Sequence, residues 1–120
     1  MKKLRIYIAG PYTPSGAELA DASRIANQNV KKAIDAAIAL IKKGHIPLVP
    51  VLHHFIRIES DVQLPSDYFF QYDLALLHES DAFLYLGKSP GVDKELEEGK
   101  KINPNMLIFY SVEDIGSATE

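Results

Sequence analysis

Short apolar runs alternate with helical periodicities along this chain, and that alternation constrains the fold more than any other feature. Leu4–Ala9, Ile46–Val51, Ala82–Leu86 and Met106–Tyr110 read as strands. Between them, Ala22–Lys43, Ser66–Glu79 and Pro90–Lys101 read as helices. Strands joined through helices pair in parallel, and a parallel sheet is covered on both faces. The expectation is an α/β three-layer sandwich with a mainly parallel sheet of four to five strands. In such sheets ligands bind beyond the carboxyl ends of the strands. Those ends carry Gly10-Pro11-Tyr12, His53-His54 and Gly87-Lys88-Ser89, so three segments converge on one mouth.

The local signals refine this outline. In the first strand Leu4, Ile6 and Ile8 share one face, and Arg5, Tyr7 and Ala9 the other. The loop from Gly10 to Gly16 is dense in turn residues. In the long helix Ala26, Val30, Ala33, Ile34, Ala37 and Ile41 form one apolar stripe, stopped by Gly44. Pro47 and Pro50 mark the second strand as an edge strand or a strand end. Arg57–Pro65 reads as a loop or a short helix. Asp81, just before a strand, reads as a structural residue holding the loop backbone. The polar stretch Ser111–Glu120 is expected to be mobile or to serve at a subunit contact.

The 120 residues suit one domain with one core, placed at 1–120. A net charge of −3 gives no basic footprint for a nucleic acid polymer. There is no cysteine, which excludes disulfides, thiolate metal sites and a thiol nucleophile. No apolar run approaches the ~20 residues of a membrane span. The chain passes from Met-Lys-Lys directly into a strand pattern, without a signal-like apolar region. A cytoplasmic protein that makes no membrane contact is expected.

Two stretches carry unusual chemistry. Ser89-Pro90-Gly91-Val92-Asp93-Lys94-Glu95 opens a helix directly after a strand. Ser suits the N-cap and Pro the first helical position. With the N–H groups of Gly91 and Val92 facing outward, this turn could receive an anion. Glu95 lies one turn further in. By itself the stretch also reads as an ordinary capped helix with a solvated glutamate. The second oddity is Asp73, on the inward stripe formed by Phe69, Phe70, Leu76 and Leu77. A carboxylate there is costly unless it is paired or opens into a cleft.

Two carboxylates at one mouth suit retaining glycoside cleavage, in which one attacks and the other assists proton transfer. Tyr7 could hold the attacking carboxylate, and Tyr12 could pack on a flat ring. Adjacent histidines on a strand point to opposite faces, so His53-His54 give no metal site, and no cofactor is expected. The spaced glycines of a dinucleotide fingerprint are absent after Gly10.

Ile6-Tyr7-Ile8-Ala9-Gly10-Pro11-Tyr12, the segment from Asp73 through Ser80-Asp81-Ala82, and Ser89-Pro90-Gly91-Val92 with Glu95 together resemble the nucleoside 2-deoxyribosyltransferase family. That superfamily includes the deoxynucleoside 5′-monophosphate N-glycosidases. The resemblance runs from Leu4 to about Tyr110 and implies a flavodoxin-like fold. It implies that Glu95 attacks C1′ of the sugar, that Tyr7 orients it, and that Asp73 acts on the base. Gly10 and Tyr12 would surround the substrate, and Ser89 and Gly91 would bind a 5′-phosphate; His53, from its place at the same mouth, is a further candidate for substrate binding. The substrate would be a nucleoside or nucleotide, with water or a second base as acceptor, and the protein a homodimer or higher homo-oligomer. Two departures stand out. The Arg-containing first loop of the monophosphate branch is here Pro11-Tyr12-Thr13-Pro14, and Ser89 stands where the transferase branch carries an aspartate. The other readings of the same residues are a non-catalytic nucleotide-binding or sensing domain, and a phosphate-ester enzyme using the same helix start.

Overall fold

β1 (Arg5–Ala9) is the centre of the sheet, pairing in parallel with β2 (Ile46–Leu48) on one side and β3 (Ala82–Tyr85) on the other. β4 (Leu107–Phe109) extends the sheet beyond β3, giving the all-parallel order β2-β1-β3-β4. A computed structural model describes the backbone of residues 1–12, 19–53, 55–56 and 66–119, and the side chains of these except 19–23, 66 and 67. Thr13–Gly16 of the first loop, His54, the predicted Arg57–Pro65 loop and Glu120 lie outside the described residues.

Alternation along β1 sends side chains into two different cores. Leu4, Ile6 and Ile8 pack with Leu84 against Val30, Ala33, Ala37 and Leu40 of α1 (Leu19–Lys42). Three alanines on that stripe (Ala33, Ala36 and Ala37) let the helix lie close to the sheet. Tyr7 and Phe83 face the other way, into a core built with Leu77 of α2 (Ser66–His78), Val92 of α3 (Pro90–Ile102), and Met106. Both faces of the sheet are covered, as a parallel sheet requires. The result is a three-layer α/β/α arrangement with a flavodoxin-like strand order.

Several boundaries differ from those read in the sequence. α1 starts three residues earlier than expected, and its stripe ends on Leu40, which is fully buried, rather than Ile41, which is 60% exposed. At about 100° per residue Leu40 continues the line through Val30, Ala33 and Ala37, while Ile41 turns out to solvent. The second strand stops at Leu48, and Pro50–Leu52 form a 3₁₀ turn with Pro50 at its first position. Proline has no N–H to give a ladder but suits a helical start. Among the described residues the sheet has four strands, the lower of the expected numbers.

The C-terminal stretch is docked rather than mobile over its described residues. Ile115 is fully buried beneath α1. Burying such a side chain stabilises a fold by about 1.5–3 kcal/mol. Lys43 Nζ donates to the carbonyls of Val112 and Ile115, at 3.1 and 2.6 Å. The buried His45 ring accepts from Leu4 N–H at Nδ1 (3.1 Å) and donates from Nε2 to Gly116 O (2.7 Å). Gly44 makes the reversal after α1 with φ +88°, a conformation that glycine adopts without strain. Asp81 is structural, as expected: it accepts from Arg5 N–H at 2.9 Å and pairs with the Arg5 guanidinium.

Candidate active site

At the carboxyl ends of β1 and β2, Ala9, Gly10, Tyr12, His53, Asp73 and Glu95 line one cavity of about 40 Å³. They come from four segments that are distant in sequence. β1 delivers Tyr7 and leads into Gly10. The 3₁₀ turn after β2 ends on His53. α2 brings Asp73 and α3 brings Glu95.

Each side chain is placed by its element. Tyr7 is fully buried, with its ring stacked on Phe83 at 5.5 Å. From there its hydroxyl donates to Glu95 Oε2 at 3.0 Å. α3 starts at Ser89, whose Oγ accepts the Val92 N–H at 3.1 Å. The helix then buries Val92 and Gly99, and Glu95 lies on the same inward side. Gly99 sets how close α3 can come. A Cβ there would stand 3.3 Å from Met106 Sδ and 3.5 Å from Leu77. Asp73 is 7% exposed, on the face of α2 that also buries Phe69 and Leu77. The inward aspartate expected from helical spacing therefore shares a cavity with Glu95.

The charges in this cavity act on one another. The carboxyl of Glu95 is pushed up to about 7, first by burial and then by the negative charge of Asp73. The hydrogen bond from Tyr7 works in the opposite direction. Tyr7 itself is held far above the usual phenol range, chiefly by burial and then by Glu95, so it remains a donor. The two carboxyls titrate as a pair, with Asp73 carrying its charge while Glu95 still keeps its hydrogen.

The far wall is aromatic. His53 is buried, with Phe69 at 4.7 Å, Tyr12 edge-on at 5.6 Å and Tyr72 at 6.4 Å. Tyr12 is held from α1, where Asn29 Nδ2 donates to its carbonyl at 3.0 Å. Asn29 and the wall residue Val51 had no signal of their own in the sequence, and Pro50, also in the wall, was read there only as a mark of an edge strand or a strand end.

Ser89 and Gly91 stand apart from these residues. Gly91 lies about one turn before Glu95 and Ser89 is the N-cap beyond it, and neither lines the cavity. The outward N–H expected of Val92 is taken by Ser89 Oγ, and the Asp93 N–H goes to Ser89 O at 3.0 Å. Of the two donors expected there, Gly91 N–H is left. The sequence reading also missed a cluster beside this turn. Asp93 accepts from Tyr85 Oη at 2.8 Å and from Lys88 Nζ at 2.9 Å.

Among the described residues, no three His, Asp or Glu side chains are grouped to hold a metal ion. No described helix is long and apolar enough to cross a membrane.

No protein-family model matches the sequence, and no curated protein matches it. Among solved structures, the chain is similar to a 2-deoxyribosyltransferase from the psychrotolerant bacterium Bacillus psychrosaccharolyticus, characterised as a biocatalyst for nucleoside synthesis. The TM-score is 0.55 at 16% sequence identity, over 92% of this chain and 88% of that one. At this identity the likeness establishes the flavodoxin-like fold and leaves the chemistry to the site itself.

Proposed function

We propose that this protein cleaves or exchanges the N-glycosidic bond of a (deoxy)nucleoside or its 5′-monophosphate through a covalent glycosyl–Glu95 intermediate. The observation that carries this reading is the 3.0 Å hydrogen bond from Tyr7 to Glu95, in a cavity that also holds Asp73. An oxygen of ionised Glu95 attacks C1′. The C1′–N bond breaks, its electron pair goes to the base, and the base takes the hydrogen it needs from water by way of the Asp73 carboxylate. Water or a second base then attacks C1′ and frees Glu95. The fixed carboxylate stabilises the cation-like sugar centre of each transition state. Tyr7 holds Glu95 in line and reduces its basicity.

Support comes from the shared cavity, from the raised Glu95 carboxyl, and from the 2-deoxyribosyltransferase on the same fold. The cavity is well below the ~300 Å³ at which ligand pockets begin. C1′ therefore enters it while the rest of the substrate lies across the mouth, where a second copy of the chain would supply further wall. Tyr12 and His53 form the aromatic side on which a base would lie.

The test is release of free base from a panel of nucleosides, deoxynucleosides and their 5′-monophosphates, compared between the wild type and Glu95→Ala. Release that disappears in the variant is expected. Identical behaviour of the two proteins across the panel would refute the Glu95 mechanism. Ligand-induced thermal stabilisation that survives Glu95→Gln, without any turnover, would mark a binding domain instead; at 100 times Kd it amounts to about 2.7 kcal/mol.

A further inference from the structure

We propose that Asn29 and Gly87 are positioning residues of the site: from α1 and from the end of β3 they fix the Gly10-Pro11-Tyr12 loop, so that Tyr12 stands as part of the aromatic wall. The inference rests on the reading that a base lies on Tyr12 and His53. Neither Asn29 nor Gly87 lines the cavity that holds Glu95. Both act through Tyr12.

The loop leaves the sheet at a topological switch point. From β1 the chain runs to β2 on one side, then crosses to β3 on the other. Crevices at such points receive ligands. The last rung between the two strand ends is the Leu86 N–H on Ala9 O, at 2.8 Å. Beyond that rung the loop is not packed solid. A second cavity, of about 100 Å³, is lined by Gly10, Pro11, Asn29, Lys32, Leu86 and Gly87. Of these, Gly10 alone also lines the cavity with Glu95. A loop beside a void keeps its place through specific contacts, because close packing is not there to set it.

Asn29 supplies one such contact. Its Nδ2 donates to the Tyr12 carbonyl at 3.0 Å, from a 24-residue helix whose Val30 and Ala33 are buried on the sheet. Gly87 supplies a second. A Cβ at this position would stand 3.0 Å from Pro11 Cδ and 3.3 Å from Pro11 Cγ. The space a side chain would need is the space that the proline ring fills. The backbone of Gly87 does not have a positive φ, so glycine is required here by the close approach and not by the turn. Pro11 cannot yield by rotating a flexible side chain, since its ring fixes φ at about −65°. A shift at Pro11 therefore carries Tyr12 with it. The Tyr12 ring meets His53 edge-on at 5.6 Å, and displacement of the loop opens that wall. A base resting on the wall is held alike before and during bond breaking, so a loosened wall weakens binding and spares the chemical step.

The experiment has two readings. Asn29→Asp keeps the shape of the side chain and replaces the donor by an acceptor, and Gly87→Ala adds only the obstructing Cβ. The chain contains no tryptophan, so Tyr12→Trp installs a single fluorophore on the loop. Adding Asn29→Asp or Gly87→Ala to it is expected to move the emission to longer wavelength and to raise quenching by acrylamide. Base release from the four common 2′-deoxynucleosides gives the second reading. Each substitution alone is expected to raise KM by about tenfold, the scale of one hydrogen bond, with kcat little changed. In Tyr12→Ala neither is expected to raise KM further, because the ring through which they act is gone. The two substitutions lie on different elements, so one that fails to fold in a thermal melt leaves the other to decide. Unmoved fluorescence in a folded variant, a loss confined to kcat, or effects that add to that of Tyr12→Ala would overturn the proposal. If no nucleoside is turned over, the glycosidic reading falls, and the fluorescence alone decides whether Asn29 and Gly87 position the loop.

Discussion

The Tyr7 hydroxyl donates to Glu95 Oε2 at 3.0 Å from a ring that is fully buried against Phe83. Eighty-eight residues separate the two in sequence. The fold brings them together, because α3 packs over the face of the sheet to which Tyr7 points. Tyr7→Phe keeps the stack on Phe83 and deletes the hydrogen bond alone. The expected result is a loss of kcat on the order of 10²-fold, the scale of one positioned proton-bearing group. Stability should change by about 1 kcal/mol. Steady-state kinetics beside a thermal melt separates the two effects.

In the proposed reaction Glu95 must be ionised to attack, and burial and Asp73 push its carboxyl up to about 7. In the free enzyme kcat/KM is therefore expected to rise with pH through about 7. Removing the Tyr7 hydrogen bond takes away the influence that lowers this value, so Tyr7→Phe moves the rising limb to higher pH. Removing the negative charge of Asp73 does the reverse, so Asp73→Asn moves it towards the ordinary carboxylate range. Opposite displacements in the two variants are the expected signature in pH–rate profiles. Displacement in the same direction would contradict the arrangement of charges described above.

The same carboxyl makes a prediction about stability. Its folded value, about 7, lies above the ordinary 4.5. A raised carboxyl contributes stability that is fully present below the unfolded value and is lost as pH rises through the folded one. Glu95→Gln removes the charge and keeps an acceptor for Tyr7. It should therefore be more stable than the wild type at pH 8, by roughly 2–3 kcal/mol. The difference should close below about pH 4.5. Denaturant titrations at pH 4 and pH 8 measure it. An inactive variant that is also more stable is what a site strained for function produces.

Much of this geometry was legible in the sequence because period and punctuation report directly on burial. The alternation in Leu4–Ala9 separated the Ile6 face from the Tyr7 face. Helical spacing placed Asp73 inward with Phe69 and Leu77, and Ser89-Pro90 marked the start of α3. What escaped were contacts between segments without a period of their own. No spacing in the sequence tied Asp93 to Tyr85 or Lys88, and only the fold shows them on its two oxygens. Val92 was given an outward N–H because the competing acceptor, Ser89 Oγ, is a local rotamer choice that spacing does not specify. The last residues looked free because their polarity hid one plug, Ile115, and because the groups that hold them belong to Lys43 and His45.

That docking gives a prediction away from the site. Ile115→Ala empties a fully buried position and should cost about 2–5 kcal/mol. His45→Phe should also destabilise, by roughly 1–3 kcal/mol, because Leu4 N–H and Gly116 O lose their partner. Amide exchange across residues 111–119 is expected to quicken in both variants. A tail that exchanges freely in the wild type would contradict the docked arrangement.

The central claim is a bond between Glu95 and the sugar, and intact-protein mass spectrometry tests it most directly. Wild-type protein mixed with a turned-over deoxynucleoside and quenched in acid is expected to gain the mass of one deoxyribosyl group. Digestion should place that mass on the peptide containing Glu95, and Glu95→Gln should not acquire it. Turnover with the adduct on another residue, or undiminished turnover by Glu95→Gln, would contradict the assignment of Glu95 as nucleophile.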